Sequence, residues 1–471
     1  YVAPPIGELR FRPPESVEPW IDTLDATRFG DACPQKITLG TQPPTAEDCL
    51  TLNVWAHDDK KMRPVMVWIY GGGYSQGASR LPLYEASGLA TSGDVVVVSM
   101  NYRLGALGFL ATETLAEESG VDSAGNYGTR DQIAALQWVK RNIEAFGGDP
   151  KQVTVFGESA GGTSVCTMLG SPMAQGLYHR AIIQSGGGCY GIRNLRKETP
   201  TTVSAIKLGQ QFSIRAGCDT ADDELTCLRA LDADETVELL LAGGTGGFGL
   251  PDTGPNIDGI VLPTQPYVSV LNGSLGDVPV ITGANADEME LFLIGQSFTK
   301  ASYETTVNTF FPNNAAALLQ LYPAVDDAAA KPAYVALVSD FAFICPSLAF
   351  AKAASGGKST SYAYHFTQSL TSGQLAGLGA FHALEVAYVF GSFGGFGATP
   401  TTADLNVSGL MMGAWSSFAK TGSPAEPPGW ASYDQDAANI AIFADPPSFA
   451  QQIREGRCAE LVKLGLVAGG G

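Results

Sequence analysis

The chain has 471 residues, of which 45% are hydrophobic and only 16% charged. Its 28 basic and 47 acidic side chains give a formal net charge of −19. An acidic chain without a basic cluster repels phosphate backbones and anionic membrane surfaces, so we expect no nucleic-acid partner. No uninterrupted apolar run approaches the roughly 20 residues of a membrane span, so none is expected.

The eight cysteines favour an oxidising compartment. Two pairs close in sequence are separated by short polar loops, which suits local disulfides better than a metal site: Cys33 with Cys49, and Cys218 with Cys227. We interpret the others as buried thiols: Cys166, Cys189, Cys345 and Cys458.

Other features also favour secretion. Asn272 and Asn406 begin Asn-x-Ser sequons and are candidate glycosylation sites. The chain opens on "YVAPP" without a signal peptide, so we expect that N-terminal residues have been processed or are missing. We therefore expect a secreted, extracellular protein.

Short apolar runs alternate with helical stretches along the chain. Continuous runs predict strands buried on both faces of a mostly parallel sheet, at 65–69, 95–98, 153–156, 181–183 and 278–282, with a further strand at 362–366. A helix is predicted from Asp131 to Phe146, with Leu136, Val139, Ile143 and Phe146 on one face. This order predicts a single α/β domain over residues 1–471. Residues 190–275, including the flexible stretch Gly243–Gly247, are predicted to be a helical and loop-rich insertion that contributes to the substrate pocket.

The stretch "VTVFGESAGG" predicts a nucleophile. A β-rich run ends at Ser159 between glycines, and small residues that can begin a helix follow. A Gly-x-Ser-x-Gly turn between strand and helix holds the serine Oγ at the top of the sheet, and Ala160 then directs its N–H toward an oxyanion. The pattern also occurs by chance, but this position favours a nucleophile over a structural serine.

A serine nucleophile needs a base, and the chain has four histidines. In this type of sheet the chain order is serine, acid, histidine, which excludes His57 and His179. His365 lies inside a predicted strand and is held beside the sheet. His382 lies in the glycine-rich loop "GQLAGLGAFHALE", from which it can reach over a strand end, so we predict that it is the base.

The acid is predicted in "GANADEMELF", which follows the strand at 278–282. Asp287, Glu288 and Glu290 are the candidates, and the alternative is a solvated helix face. Glu288 is preferred and Asp287 is second. A carboxylate here would hold the tautomer of the imidazole and stabilise the imidazolium.

A further oxyanion donor is predicted in "WIYGGGY", where a buried strand runs into three glycines with unshielded N–H groups. A phosphate-binding loop is the competing interpretation, but the Lys-Ser/Thr that closes such a loop is absent. We expect no metal and no cofactor.

These residues resemble the type-B carboxylesterase/lipase family, the cholinesterase-like branch of the α/β-hydrolases. The resemblance rests on ordered segments over most of the chain: "APPIGELRFRPPE", "EDCLTLNVW", "VWIYGGGY", "VVVVSMNYRLGALGFL", "GNYGTRDQIAALQWVKRNIEAFGGDP", "VTVFGESAGG", "HRAIIQSG", "ADEME" and "FHALEVAYVFG". It implies an α/β-hydrolase fold, with helical insertions over the active-site edge, and ester hydrolysis.

The resemblance also implies site residues. Ser159, Glu288 and His382 correspond to a catalytic triad, with Gly72, Gly73 and Ala160 as the oxyanion hole. Ser185 is expected near the triad acid, and Glu158 beside the triad. The disulfides Cys33–Cys49 and Cys218–Cys227 match bridges of the family.

Departures from the family narrow the expected substrate. The loop between Cys33 and Cys49 has 15 residues and no tryptophan, whereas the family's lipases carry a long lid there and its cholinesterases a choline-binding tryptophan. We therefore expect a carboxylesterase acting on small-molecule esters. The alternatives are a lipase or sterol esterase and, from another class, a non-catalytic adhesion module, which the intact triad disfavours.

Overall fold

The computed structural model describes residues 1–37, 40–59, 61–199, 202–243, 252–273, 276–434 and 437–468. Most of the predicted flexible stretch Gly243–Gly247 lies outside these residues. The strands, in chain order, are β1 (Leu52–Trp55), β2 (Arg63–Ile69), β3 (Val96–Met100), β4 (Gly148–Glu158), β5 (Arg180–Gln184), β6 (Arg193–Asn194), β7 (Asn256–Ile257), β8 (Val280–Asn285), β9 (Ser361–Phe366), β10 (Ile440–Phe443) and β11 (Ser448–Ala450).

Within the described residues, nine strands form one sheet in the order β1-β3-β2-β4-β5-β8-β9-β10-β11. Strands β3 to β10 in this order pair in parallel, and the edge strands β1 and β11 pair antiparallel to their neighbours. The carboxyl ends of β2, β4, β8 and β9 therefore lie along the same edge, where parallel sheets bind their ligands.

Helices cover both faces of this sheet and follow most strands. The α-helices are α1 (Ser87–Gly93), α2 (Gly105–Phe109), α3 (Glu113–Glu118), α4 (Tyr127–Asn142), α5 (Ala160–Gly170), α6 (Ala205–Arg215), α7 (Glu224–Ala230), α8 (Ala233–Leu241), α9 (Pro266–Leu271), α10 (Lys300–Phe310), α11 (Ala315–Leu321), α12 (Asp327–Ser339), α13 (Cys345–Ser355), α14 (Leu384–Phe390), α15 (Thr402–Thr421) and α16 (Arg457–Lys463). Short 3₁₀-helices include Ile143–Phe146, Glu288–Leu293 and Phe393–Phe396.

The central strands are buried because their apolar side chains face helices on both sides. Every residue from Val65 to Ile69 of β2 is inaccessible to solvent. The same holds for Val153, Val155 and Phe156 of β4. The α/β fold with a large, mostly parallel sheet is therefore confirmed.

The helix before β4 differs from the prediction at both ends. It begins at Tyr127 and ends at Asn142, where a 3₁₀ turn over Ile143–Phe146 replaces the last predicted turn. Gly147 takes a left-handed conformation and closes that turn. Phe146 is 42% exposed, so its assignment to the buried face was wrong.

One helical run, Asp327–Ser355, is long and apolar enough to span a membrane by composition, with a mean hydropathy of 1.7 over 18 residues. It joins α12 and α13 through a π-helical turn at Asp340–Ile344. More than half of that window is buried, and the buried Asp340 forms ion pairs with Arg454 and Arg457. These contacts are those of a core helix. The expectation concerned uninterrupted apolar runs, and Asp340 interrupts this one.

All eight cysteines form disulfides. The expected bridges Cys33–Cys49 and Cys218–Cys227 are present. The interpretation of the other four cysteines as buried thiols was wrong, because tertiary structure pairs Cys166 with Cys189 and Cys345 with Cys458. The last bridge attaches α16 to the core helix α13.

Candidate active site

Ser159 lies in a strained turn between β4 and α5. Its backbone has φ 57° and ψ −122°, a region that non-glycine residues rarely occupy. The flanking glycines are required by space, since a Cβ at Gly157 would lie 2.6 Å from the Gly161 carbonyl and one at Gly161 would lie 2.0 Å from the Ile69 carbonyl oxygen. The strand, sharp turn and helix are the context in which a Gly-x-Ser-x-Gly serine is presented at the sheet edge.

Glu288 follows β8 and is completely buried. Its Oε1 accepts hydrogen bonds from Ser185 Oγ at 2.6 Å and from the Asn285 N–H at 2.7 Å, and its Oε2 lies 2.5 Å from His382 Nδ1. Because a carboxylate only accepts, Nδ1 carries the proton and Nε2 is left as the basic nitrogen.

The other acidic candidates face elsewhere. Asp287 Oδ2 accepts from the Ala380 N–H at 2.9 Å, which fixes the loop before His382 without reaching the imidazole. Glu290 forms an ion pair with Lys331 at 2.8 Å. The structure thus brings Glu288 to the histidine, and it places neither alternative there.

The other histidines have structural partners away from this turn. His365 Nδ1 lies 3.1 Å from the Ala284 carbonyl oxygen, and burial lowers the pKa of its imidazole to about 3. His179 Nδ1 accepts from the Val153 N–H, and His57 Nε2 lies 3.1 Å from the Ala90 carbonyl oxygen. Only His382, among the four, contacts an acid of the predicted site.

The basic nitrogen of His382 faces the turn at residues 157–161 that carries Ser159, which we call the elbow. Nε2 lies 3.0 Å from Glu158 Oε1, on the residue just before Ser159, but the angles do not make a hydrogen bond. No hydrogen bond joins Nε2 to the Ser159 hydroxyl among the described residues. Glu158 directly precedes Ser159, so this contact places the imidazole beside the turn that carries the serine.

A buried acid that the sequence analysis missed completes this cluster. Glu385 is fully buried and accepts from Gln184 Nε2 at 3.1 Å and from Asn285 Nδ2 at 2.5 Å. Trp415 in turn donates to Gln184 at 3.0 Å. The signal available in the sequence was a lone charged residue within the apolar helix "LEVAYVF", three positions after His382.

Burial and mutual repulsion shift the protonation of this cluster. Burial raises the pKa of Glu158 to about 8, and the charges of Glu385 and Glu288 add to the shift while His382 opposes it. Burial lowers the pKa of His382, but the carboxylates of Glu158 and Glu288 outweigh it and raise the pKa to about 9. At neutral pH the cluster therefore retains protons that an isolated glutamic acid or histidine would already have released.

Aromatic rings enclose the imidazole. The ring centroids of Phe292 and Phe343 lie 5.1 Å and 4.9 Å from that of His382. Phe343 belongs to the π-helical turn, which the ion pairs of Asp340 hold in place. These rings give the site apolar walls beside its basic group.

The three-glycine turn after β2 lies directly against the elbow. A Cβ at Gly71 would lie 2.9 Å from the Ser159 Cβ, so this turn tolerates no side chain there. Gly72 and Gly73 have φ of 107° and 62°. Their N–H groups donate to no described residue, and the N–H of Ala160, at the first position of α5, has no intrahelical partner. These amides remain available to an oxyanion.

A family model for the carboxylesterase family matches residues 1–461. The chain is 35% identical to the para-nitrobenzyl esterase of Bacillus subtilis (strain 168), with 96% of this chain and 93% of that protein covered. It is 35% identical to the fumonisin B1 esterase of Sphingopyxis macrogoltabida, covering 90% and 78%, and 34% identical to the cholinesterase of Mus musculus, covering 90% and 74%. A solved PNB esterase structure superposes with a TM-score of 0.84 at 33% identity, covering 98% of this chain and 94% of that one.

Proposed function

Because this chain belongs to the carboxylesterase family and is a carboxylic ester hydrolase, we propose that it works through an acyl-enzyme on Ser159 with a Ser159–His382–Glu288 triad. The observation that carries the proposal is the buried 2.5 Å contact between Glu288 and His382 Nδ1, which directs Nε2 toward the elbow. Glu288 holds the tautomer that makes Nε2 basic and stabilises the imidazolium formed during attack.

The proposed reaction has two halves. Ser159 Oγ attacks the ester carbonyl carbon while His382 Nε2 takes the hydroxyl proton. The carbonyl oxygen becomes an oxyanion that accepts from the N–H groups of Gly72, Gly73 and Ala160. The imidazolium returns the proton to the departing alcohol, leaving an acylated Ser159. His382 then removes a proton from water, which attacks the acyl-enzyme and releases the acid.

Glu158 and Ser185 support this chemistry through other groups. Ser185 donates a hydrogen bond to Oε1 of Glu288, which leaves Oε2 for His382. Glu158 stabilises the imidazolium by its charge, since its Oε1 lies 3.0 Å from Nε2. The substrate does not need to contact either residue.

We propose soluble carboxylic esters as the substrates. The short, disulfide-closed loop from Cys33 to Cys49 favours them over long-chain lipids, since it offers little surface for a lid. The similarity to the para-nitrobenzyl and fumonisin B1 esterases supports ester hydrolysis of this kind. A jump in rate when a long-chain ester passes its micelle threshold would favour the lipase alternative instead.

We also propose an oxidising, extracellular location, which the pairing of all eight cysteines supports. Of the two sequons, Asn272 is the better glycosylation acceptor because it is exposed at the end of α9. Asn406 lies within α15 and donates to Asp445, and the Ser408 of its sequon is 2% exposed.

The test of the function is the hydrolysis of p-nitrophenyl acetate by Ser159→Ala. We expect a loss of kcat/KM of about 10⁴-fold or more, with an unchanged circular dichroism spectrum and melting temperature. The matched control is Ser355→Ala, which removes a serine near the surface end of α13 and should keep full activity. Turnover by Ser159→Ala comparable to that of the wild type would refute the proposal.

A further inference from the structure

Three consecutive residues of the loop that carries the candidate base are bound to the end of β8 and the turn after it. The Ala380 N–H donates to Asp287 Oδ2 at 2.9 Å, and the Ala380 carbonyl oxygen accepts from the Asp287 N–H, also at 2.9 Å. The Phe381 carbonyl oxygen accepts from Asn285 Nδ2 at 2.8 Å. The next residue is the candidate base itself, whose Nδ1 contacts Glu288. These bonds fix where the imidazole stands relative to its acid.

The loop has little support of its own before this point. Residues 371–379 are exposed or half-buried, and the backbone hydrogen bonds described within residues 370–378 are 3.3–3.4 Å long. Ser372 anchors the start of the loop by its hydrogen bonds with Thr399. At the other end, the shorter bonds to Asp287 hold the backbone that leads into the base.

The Asp287 carboxylate also packs against the backbone just before Ala380. A Cβ at Gly379 would lie 2.3 Å from Asp287 Oδ2, so the carboxylate occupies the space that a side chain at 379 would need. Gly379 has φ 68°, a left-handed conformation that glycine adopts without a steric cost. The loop thus approaches β8 closely only because residue 379 has no side chain.

The contribution of Asp287 to the base is geometric. The charges that raise the pKa of His382 are those of Glu158, Glu288 and Glu385. Asp287 reaches the imidazole only through the loop backbone, by a hydrogen bond that a neutral amide oxygen could equally accept.

We propose that Asp287 is a positioning residue for ester hydrolysis, which holds the loop in the register at which His382 Nδ1 meets Glu288. This role presupposes the triad proposed above. A displacement of about 1 Å at a reacting group can cost about 10²-fold in rate, so loss of this support lowers kcat. KM changes little, because no step of the proposed reaction brings Asp287 into contact with the ester.

The first test displaces the Asp287 carboxylate without removing it. Gly379→Ala puts a methyl group where Oδ2 lies, and we expect kcat for p-nitrophenyl acetate to fall by about 10²-fold with KM within about twofold. Gly377→Ala is the matched control, because Gly377 lies in the same loop with φ 82° but a Cβ there meets no atom within 4 Å. It introduces the same kind of backbone strain and should keep kcat within about threefold. Equal kcat in the two variants would overturn the proposal.

The second test removes the acceptor. Asp287→Ala should lower kcat by about 10²-fold, whereas Asp287→Asn keeps an oxygen for the Ala380 N–H and should restore most of the loss. Asp326→Ala is the control, since it removes a bond of the same length, 2.9 Å, from the Ala329 N–H at the start of α12. It should match the wild type. A wild-type kcat in Asp287→Ala, or an Asp287→Asn as impaired as Asp287→Ala, would overturn the proposal.

A proton resonance reports the position of the imidazole without turnover. The proton between His382 Nδ1 and Glu288 should give a downfield NMR resonance, because the hydrogen bond is short and charge-assisted. We expect this resonance in the wild type and in Gly377→Ala, and its shift or loss in Gly379→Ala. An unchanged resonance in Gly379→Ala would overturn the proposal.

Ser159→Ala, measured alongside, separates this role from the proposed triad. Turnover by Ser159→Ala would refute the triad and the positioning role with it. An inactive Ser159→Ala together with full activity in Gly379→Ala and Asp287→Ala would overturn the positioning role alone.

Discussion

At the scale of single residues, the imidazole of His382 has carboxylates at both of its nitrogens. Glu288 contacts Nδ1 at 2.5 Å, and Glu158 lies 3.0 Å from Nε2. Each charge favours the imidazolium, which raises the pKa of His382 above its ordinary value despite burial. In the proposed mechanism, this arrangement stabilises the charge that His382 acquires during attack. It also means that His382 is still protonated at a higher pH than an ordinary histidine.

This balance predicts the pH dependence of Glu158→Gln. The imidazolium cannot accept the Ser159 proton, so kcat/KM falls as pH drops through the pKa of His382. Glu158→Gln removes one of the charges that raise this pKa. We expect the acidic limb of the profile for p-nitrophenyl acetate to move to lower pH by roughly one unit.

The control for this profile is Glu290→Gln, because Glu290 pairs with Lys331 rather than with the histidine. The acidic limb of the kcat/KM profile of Glu290→Gln should coincide with that of the wild type. A limb that stays in place or moves upward in Glu158→Gln would contradict the proposed electrostatic role of Glu158.

The sequence allowed the candidate site residues around His382 to be predicted, but not the protonation states of the buried acids beside it. Ser159 and His382 could be predicted because strand and loop patterns bring them to one edge, and Glu288 contacts the histidine in preference to Asp287. Glu385 could not be ranked from the sequence, because its importance depends on burial against Gln184 and Asn285, which are distant in the chain.

At the scale of elements, the strands were predicted well and the connections less so. Apolar runs mark buried strands, and β2, β3, β5, β8 and β9 lie where such runs occur. The end of α4 was placed too late because helical periodicity continues into a 3₁₀ turn that exposes Phe146. The bridges Cys166–Cys189 and Cys345–Cys458 were missed because 23 and 113 residues separate their partners, and only the packing of α5 and α13 brings them together.

The long-range bridge predicts a large stability difference. A disulfide restricts the unfolded chain more when it closes a longer loop. Replacing Cys345 and Cys458 together by serine should lower the free energy of unfolding by about 4–5 kcal/mol, measured by urea denaturation. The double substitution removes a bridge that closes a loop of 113 residues and that attaches α16 to α13.

The matched control is the double serine variant at Cys218 and Cys227, whose bridge spans 9 residues. Its loss should be smaller, about 2–3 kcal/mol. If removing the short bridge lowered the free energy of unfolding more than removing the long one, loop length would not determine which bridge stabilises the chain more.

At the scale of the whole molecule, strand order assembles the site from distant parts of the sequence. The central positions of β2, β4 and β8 bring the glycine turn, the elbow and the acid to one edge, and β9 leads to the loop that carries His382. The parallel arrangement could be predicted from the run of buried strands. The strand order could not be predicted from periodicity, because an apolar run marks a strand but not the strand beside which it pairs.

The net charge predicts how salt affects stability. With a charge of −19, repulsion between surface carboxylates opposes folding at neutral pH, and salt screens it. Raising NaCl from about 10 mM to about 150 mM should raise the melting temperature by about 1–2 °C. The rise should vanish near pH 4.6, where the chain has no net charge. A fall in melting temperature at neutral pH would mean that attractive ion pairs dominate instead.

The most direct measurement of the central claim is the position of a covalent organophosphate adduct, located by peptide mass spectrometry. We expect one adduct per chain on Ser159, with much slower labelling in Glu288→Gln and none in Ser159→Ala. An adduct on another serine, or full labelling of Ser159→Ala, would contradict the account.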